Sequence, residues 1–429
     1  MVKSAFILSD IHLGASNSIL TAFDYDPQTE KTIERPLAQG VLDKLIADIR
    51  EKCPPDKFEQ CILLGDIFDL SFAPYGVTMQ NGLWFFDQLV KADLFQSFVY
   101  IPGNHDHHLW QQVCEHYYLM TRINNPPLTY PRTLPADTLL NNTFLDRLLP
   151  DGHTFQITYP NYMFTVNDKI FYLHHGHYLQ QLYVAASKFL SEVLKTNSID
   201  DLETLNAPFL EFGWYNLGQA YNVGHQKLID HMFFLYKNNR TDQIDHLIRL
   251  GLKKLNRLSK DPAEKGCHPI ERFLDFVNQT LGVFFIHRLF FKHSKRYKKL
   301  PQASTARHKR LTESMSQSIS NYITQYLLPT DVTYKECTFI FGHTHEPEYD
   351  VIYTNSENTH LHLYNTGGWV VDQIDAEGQW LLPQAAPLCV MEDGTVEAIS
   401  FTKNHQHFLK DGLANDPAFQ SLRQNVKVA

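Results

Sequence analysis

Phe98-Val-Tyr-Ile-Pro-Gly-Asn-His-Asp106 is an apolar run closed by a proline and a glycine, after which an amide, an imidazole and a carboxylate follow in succession. Four consecutive apolar residues bounded by turn formers read as a buried strand. The same grammar recurs along the chain. Ala5–Leu8 runs into Ser9 and Asp10, and Cys61–Leu64 into Gly65 and Asp66. Ile170–Leu173 runs into His174, His175 and Gly176, and Cys337–Phe341 into Gly342 and His343. Between the early runs lie helical faces, Leu42, Leu45, Ile46 and Ile49 on one, Leu83, Phe86, Leu89 and Val90 on another. Strands alternating with helices predict an α/β domain, with its ligands outside the strand ends.

The chain has 429 residues, 43% of them apolar and 20% charged, enough to bury a sizeable core and too little charge for global disorder. Either two to three domains or one α/β domain with a large insertion fits that length. Six cysteines without a C-x-x-C pair argue against a disulfide scaffold or a zinc knuckle and make a reducing compartment the default. No apolar run reaches the roughly 18 residues of a membrane span. Lys3 leads straight into Ala5–Leu8, so no signal peptide is expected. These features predict a cytoplasmic protein.

Residues 178–335 read differently. Leu179, Leu182, Tyr183, Ala186, Leu190, Val193 and Leu194 share one helical face, as do Ile270, Phe273, Leu274, Val277, Leu281, Phe284, Phe285 and Leu289. From Lys237 to Arg310 there are 18 Lys+Arg against 6 Asp+Glu, a net of +12, so the rest of the chain carries about −21 of the total −9. The expectation is a basic, all-helical insertion (178–335) interrupting an acidic α/β domain of residues 1–177 and 336–429. Strand-like runs return at Leu361–Tyr364, Leu388–Met391 and Val396–Ser400, and the polar tail after Lys403 is expected to be loosely held.

The strand ends together present Asp10 and His12; Asp66 and Asp69; Asn104, His105 and Asp106; His174, His175 and His177; His343 and His345. Each piece alone reads as an ordinary turn, N-cap or histidine cluster. Five in order, all behind apolar strands, point to one site. Carboxylates, imidazoles and an amide oxygen without thiolate suit Mn, Fe(II) or Zn and disfavour a structural zinc. Asp10 and His12 would share a side of an extended segment, as would His343 and His345. Glycines before Asp66, Asn104 and His343 allow sharp turns.

This order of motifs resembles the calcineurin-like metallophosphoesterase superfamily. It stands as Asp10-Ile-His12, Gly65-Asp-Ile-Phe-Asp69, Gly103-Asn-His-Asp106, His175 within His-Gly-His177, and Gly342-His-Thr-His345. Tyr364-Asn-Thr-Gly-Gly-Trp369 and Ser9–Leu13 are similar to stretches of bacterial members, among them the UDP-2,3-diacylglucosamine hydrolases. The resemblance implies two mixed β-sheets sandwiched between helices and two divalent metal ions, Mn first, with Fe or Zn as alternatives. Asp10, His12 and His345 would hold one ion, Asn104, His175 and His343 the other, and Asp66 would bridge them. A water shared by the ions would be the nucleophile, as hydroxide. His105 would be the general acid or a charge stabiliser, and Asp106 would orient it. Asp69 would stand behind the ligands, and His177 would contact phosphate or do the same. His174 reads as an ordinary buried or surface histidine.

The implied activity is hydrolysis of a phosphoester, a phosphodiester or a diphosphate-linked one, with a lipid-anchored substrate among the candidates. The insertion's ends emerge beside the site, as a cap would. Its 270–299 helix, phenylalanine-rich with a basic end, suits peripheral contact with anionic lipid. A metal-dependent nuclease is the alternative, disfavoured by the −21 on the rest of the chain. A non-catalytic scaffold is a third reading, weakened because no ligand position is substituted. Oligomeric state is left open.

Overall fold

The computed structural model describes residues 2–26, 31–120, 140–141, 145–150, 152–177, 336–354, 360–375 and 377–428, with scattered positions between 123 and 139 and between 206 and 250. The strands are β1 (Ala5–Leu8), β2 (Phe23–Asp26), β3 (Lys31–Glu34), β4 (Phe58–Leu64), β5 (Phe95–Ile101), β6 (Leu140–Asn141) and β7 (Phe155–Ile157). They continue with β8 (Asn161–Val166), β9 (Lys169–His174), β10 (Glu336–Phe341), β11 (Glu348–Thr354), β12 (His360–Asn365), β13 (Leu388–Val390) and β14 (Val396–Ala398). Seven form one mixed sheet in the order β14-β13-β1-β4-β5-β7-β6, five form a second, β11-β12-β10-β9-β8, and β2 and β3 form a hairpin. All eight strand-like runs named from the sequence fall on strands, Leu388–Met391 and Val396–Ser400 running one and two residues past the ends of β13 and β14.

Alternation along β1 shows how the layers assemble. Ala5 and Ile7 join Ile62, Leu64, Val99 and Ile101 from their own sheet and Phe164, Phe171, Leu173 and Ile340 from the other, so this core fills the space between the sheets. Phe6 and Leu8 point the other way, with Cys61, Leu63, Phe98 and Tyr100, into a core capped by helices. Those helices are α1 (Pro36–Lys52), α2 (Tyr75–Lys91), α3 (His108–Cys114), α4 (Gln406–Asn415) and α5 (Pro417–Val428). The fold is α/β, two mixed sheets face to face with helices outside the larger. Its central strands β1, β4 and β5 run parallel, as do β9, β10 and β12. Their C-terminal ends therefore bring the motif loops to one edge.

Two expectations are corrected. Leu83 is 50% exposed, because the buried face of α2 runs through Val77, Asn81, Phe85, Phe86 and Leu89, off the stripe that would include it. The tail beyond Lys403 is docked: Leu409, Leu413 and Phe419 are buried. Asp416 forms a buried pair with Arg35, Nε to Oδ2 at 3.3 Å, while its Oδ1 accepts from the Ala418 amide at 2.9 Å to cap α5. Three apolar anchors spaced through polar sequence were too sparse to stand out. The helical faces from Leu179 to Leu194 and from Ile270 to Leu289, the 270–299 helix and nearly all of the basic 237–310 stretch lie outside the described residues.

Candidate dinuclear metal centre

Three of the five motif loops, those after β1, β4 and β10, leave their strands through left-handed backbone at residues other than glycine. Asp10, His12, Asp66, His343 and His345 have φ of 54°, 52°, 51°, 67° and 59°. For residues other than glycine this conformation costs of order 1 kcal/mol or more, and it persists where the surroundings over-determine it. Asp10/His12 and His343/His345 are thus not on extended segments, as the two-residue spacing suggested. Alternate left-handed residues turn both side chains of each pair to the same place. Cross-loop backbone bonds hold the turns: Asp10 N–H to Gly65 O at 3.0 Å, His12 N–H to Asp66 O at 2.9 Å, Gly342 N–H to His175 O at 2.8 Å and Trp369 N–H to Asp10 O at 3.1 Å.

The glycines serve for room more than for turning. Only Gly65 of the three has positive φ. A methyl on Gly103 would meet Asp66 Oδ1 and His175 Cδ2, and one on Gly342 would meet Asp10 Oδ2 and Ser9 Oγ.

The folded chain gathers Asp10, His12 and His345 with candidate ligand atoms within 4.8 Å of one another, and likewise Asp66, His175 and His343. Asp66 Oδ2 lies 3.2 Å from His175 Nε2 and 3.7 Å from His12 Nε2, which puts it between the two groups. His345 Nε2 is 3.4 Å from Asp10 Oδ1. His175 donates Nδ1–H to Leu64 O at 2.9 Å, which leaves Nε2 facing Asp66. Buried Asn104 Oδ1 has no hydrogen-bond donor among the described residues, a costly state unless something electropositive faces it. A third group, His12, Asp69 and His105, shares His12 with the first.

Charge states fit cation binding. Burial alone would raise the carboxyls, but the imidazoles outweigh it. His345 and His175 lower Asp10, His175 and His105 hold Asp66 far down, and His105 lowers Asp69. All three are ionised at neutral pH. Burial and neighbouring His105 push His12 to about 3, and burial with His175 pushes His343 well down, so both offer neutral nitrogen lone pairs. Burial disfavours charge on His175 too, but Asp66 lifts it to about 10. Ionised carboxylates, the neutral imidazoles of His12 and His343 and an undonated amide oxygen, with no thiolate, form a donor set for borderline or hard divalent ions, and His175 would join it by giving up its Nε2 proton as a cation bound.

His105 Nδ1 is 3.2 Å from Asp69 Oδ1, which also accepts from the Phe72 amide at 2.8 Å. Against the effect of burial, Asp66 and Asp69 raise His105. Asp106 differs from expectation, because among the described contacts it makes no hydrogen bond to His105. It accepts from Tyr100 Oη at 2.5 Å, Gly103 N–H at 2.6 Å and Ile67 N–H at 2.8 Å, tying two motif loops together. Burial and the Asp66 charge push it up to about 6. The carboxylate that meets the His105 ring nitrogen is Asp69. His177 is fully buried, its Nε2 3.5 Å from Tyr159 Oη and its ring 6.3 Å from that of His343. Burial, His174 and His175 hold His177 far below the ordinary histidine range. His174 is buried in β9, where Nδ1 accepts from Gly176 N–H at 2.8 Å. It is pushed to about 3 by burial and His175.

Several residues at the site carried no chemical signal in the sequence. Ser9 Oγ bonds Asp10 Oδ2 and Thr366 Oγ1. Asn365 Nδ2 bridges Gly342 O and Thr344 Oγ1, both at 3.0 Å, across the His343–His345 turn. Only the resemblance of Tyr364–Trp369 pointed to that stretch. Tyr100 sits in a strand where it reads as core.

The family model for calcineurin-like phosphoesterases matches residues 5–249, more than half of the chain. The chain belongs to the calcineurin-like phosphoesterase family and is a metal-dependent hydrolase of phosphoester bonds. No curated protein matches its sequence. Among solved structures, a dimetal phosphatase from Danio rerio aligns over 93% of this chain and 99% of its own at 11% identity, with a TM-score of 0.28, a likeness too low to carry an argument. No helix among the described residues is long and apolar enough to cross a membrane.

Proposed function

We propose that the chain hydrolyses a phosphodiester or diphosphate-linked phosphoester, with one divalent ion held by Asp10, His12 and His345, a second by Asn104, His175 and His343, and Asp66 shared. The observation carrying this is the pair of ligand groups meeting at Asp66 beside an undonated Asn104 Oδ1. Such ions, Mn(II) first, supply Lewis acidity for a water and for the phosphate oxygens. The chain's own residues do the rest. His105, 15% exposed in its side chain, is the group at the site's rim with a proton to give. Asp69 accepts from Nδ1–H and so keeps the Nε2 proton directed away from itself, toward a leaving-group oxygen. Asp106 holds the Gly103 and Ile67 loops in register.

The substrate is a small or lipid-anchored phosphoester, in the manner of the bacterial diacylglucosamine hydrolases. The net charge of about −21 on the chain outside Lys237–Arg310 supports that reading, since it would repel a long nucleic acid. The inserted segment acts as the cap over the site.

The test is hydrolysis of bis(p-nitrophenyl) phosphate beside p-nitrophenyl phosphate, with Mn(II) and with chelator, in the wild type and in metal-loaded Asp66→Asn. Expected is chelator-sensitive cleavage that favours the diester and falls by orders of magnitude in the variant. Near wild-type turnover in metal-loaded Asp66→Asn would sink the two-metal reading. Binding that follows DNA with a steep salt slope instead of anionic vesicles would replace the lipid substrate with nucleic acid.

A further inference from the structure

Directly after Gly103-Asn-His-Asp106 come two further histidines, His107 and His108, at the start of α3. Both meet one carboxylate. Glu211 Oε1 lies 2.6 Å from His107 Nδ1 and Oε2 lies 2.8 Å from His108 Nδ1. Glu211 belongs to the π-helical turn Leu210–Asn216, within the stretch expected to be inserted. Its neighbour Tyr215 stacks on His108 at 3.8 Å between ring centroids, nearly parallel. Burial opposes the charge of Glu211, but the two imidazoles hold it down to about 2.

The same piece of chain grips the other side of His105. Gln219 Nε2 donates to Leu70 O and to Ala73 O. Gly218 packs so closely on Ser71 O that no Cβ would fit. The loop it grips carries Phe72, whose ring stands edge-on to His105 at 5.1 Å, and Ser71, whose Oγ donates to His105 O at 3.3 Å. Glu211 and Tyr215 on one side and Gly218 and Gln219 on the other thus bracket His105 from the 107–108 turn and from the 70–73 loop. Turns that carry a functional group gain precision when a packed, hydrogen-bonded partner over-determines them.

We propose that Glu211 is a positioning residue: by clamping His107 and His108 it makes its own turn, Leu210–Asn216, set the geometry of His105, so that leaving-group protonation depends on that clamp being closed. The inference rests on His105 as the proton donor, and the tests separate the two.

The first test is amide hydrogen exchange in the full-length, Mn(II)-loaded protein. In Glu211→Gln, exchange at Phe72, Leu109 and Trp110 should quicken by about tenfold, the equivalent of one hydrogen bond to a charged group. These amides bond Asp69 Oδ1, Asp106 O and His107 O. The second compares cleavage of bis(p-nitrophenyl) phosphate, a good leaving group, with diphenyl phosphate, a poor one. Glu211→Gln should lose more rate on the poor leaving group than on the good one, with metal content unchanged. His105→Ala run alongside should show the same preference more strongly. Unchanged exchange at the three amides would overturn the proposal. So would unchanged leaving-group preference in Glu211→Gln while His105→Ala alters it. If His105→Ala leaves the preference unchanged, the acid assignment fails, and exchange alone decides whether the clamp holds these loops. His108→Asn, which keeps the Glu211–His107 bond, is expected to show a smaller shift in the same direction and serves if a Glu211 variant does not fold.

Discussion

Gly103→Ala isolates the geometry of the proposed centre from its chemistry. The substitution adds one methyl and removes no ligand. Gly103 is not in the left-handed region, so alanine meets no backbone penalty there. The added Cβ would lie against Asp66 Oδ1, 2.7 Å from the Asp66 amide nitrogen and 2.8 Å from His175 Cδ2. Ordinary contacts to a carbon are about 3.5–4.0 Å, so Asp66 and His175 must move by about half an ångström or more. Neither is free to do so. His175 is anchored by Nδ1 on Leu64 O, and Asp66 Oδ1 accepts from the His105 amide at 2.8 Å. Overpacking of this kind costs about 1–3 kcal/mol of stability. Displacing the shared carboxylate and a histidine should weaken metal binding by about 10–100-fold, the usual effect of disturbing what holds a ligand. The assay is metal titration by calorimetry, with stoichiometry by elemental analysis and denaturant melts of the metal-free protein. Gly76→Ala is the control, since nothing lies within 4 Å of its Cβ position at the start of α2. A Gly103→Ala protein that folds and titrates like the wild type would refute the site geometry.

Metal loading should also show in stability. A saturating divalent ion at 1,000 times its Kd adds about 4 kcal/mol per site, so Mn(II) should raise Tm and chelator should lower it; no shift would count against the centre. Asp416→Ala strands the buried Arg35 guanidinium, which keeps Ser16 O and the Phe419 ring but loses its carboxylate. The expected loss is about 3–5 kcal/mol in urea melts, and a loss under about 1 kcal/mol would show the pair contributes little. Glu211 gives a pH signature. Its folded pKa of about 2 lies below its ordinary 4.5, so its contribution is full above about 4.5 and is lost as pH falls toward 2. Discounted for its partial exposure, that is on the order of 2 kcal/mol. The stability gap between wild type and Glu211→Gln should narrow through that window, and a pH-independent gap would contradict the charged clamp.

Much of this was legible in the sequence because the strands and the chemistry coincide. A strand buried on both faces is a run of apolar residues, and each run here ends where its polar cargo begins, so one reading of Ala5–His12 or Phe98–Asp106 located both element and candidate ligands. The helices were less exact. Leu83 fits a helical stripe by spacing, yet the direction of the core decides which stripe of α2 is buried. The closing helices were missed because Leu409, Leu413 and Phe419 are too widely spaced to outweigh their polar surroundings, and an Arg–Asp pair 381 residues apart leaves no local mark.

By itself the sequence determined the α/β class, the order of the motif loops and the residue types that suit divalent ions, since these depend on local pattern and on side-chain chemistry. What only the tertiary structure decided are the partners. Asp69 stands beside His105 where Asp106 was expected, Asp106 binds backbone, and Glu211 bridges two histidines from more than 100 residues away. Spacing says which side chains leave one loop together. Which of them meet across loops depends on how β1, β4, β5, β9 and β10 align and on left-handed turns at Asp10, His12, Asp66, His343 and His345, which are affordable only once the surrounding fold holds them.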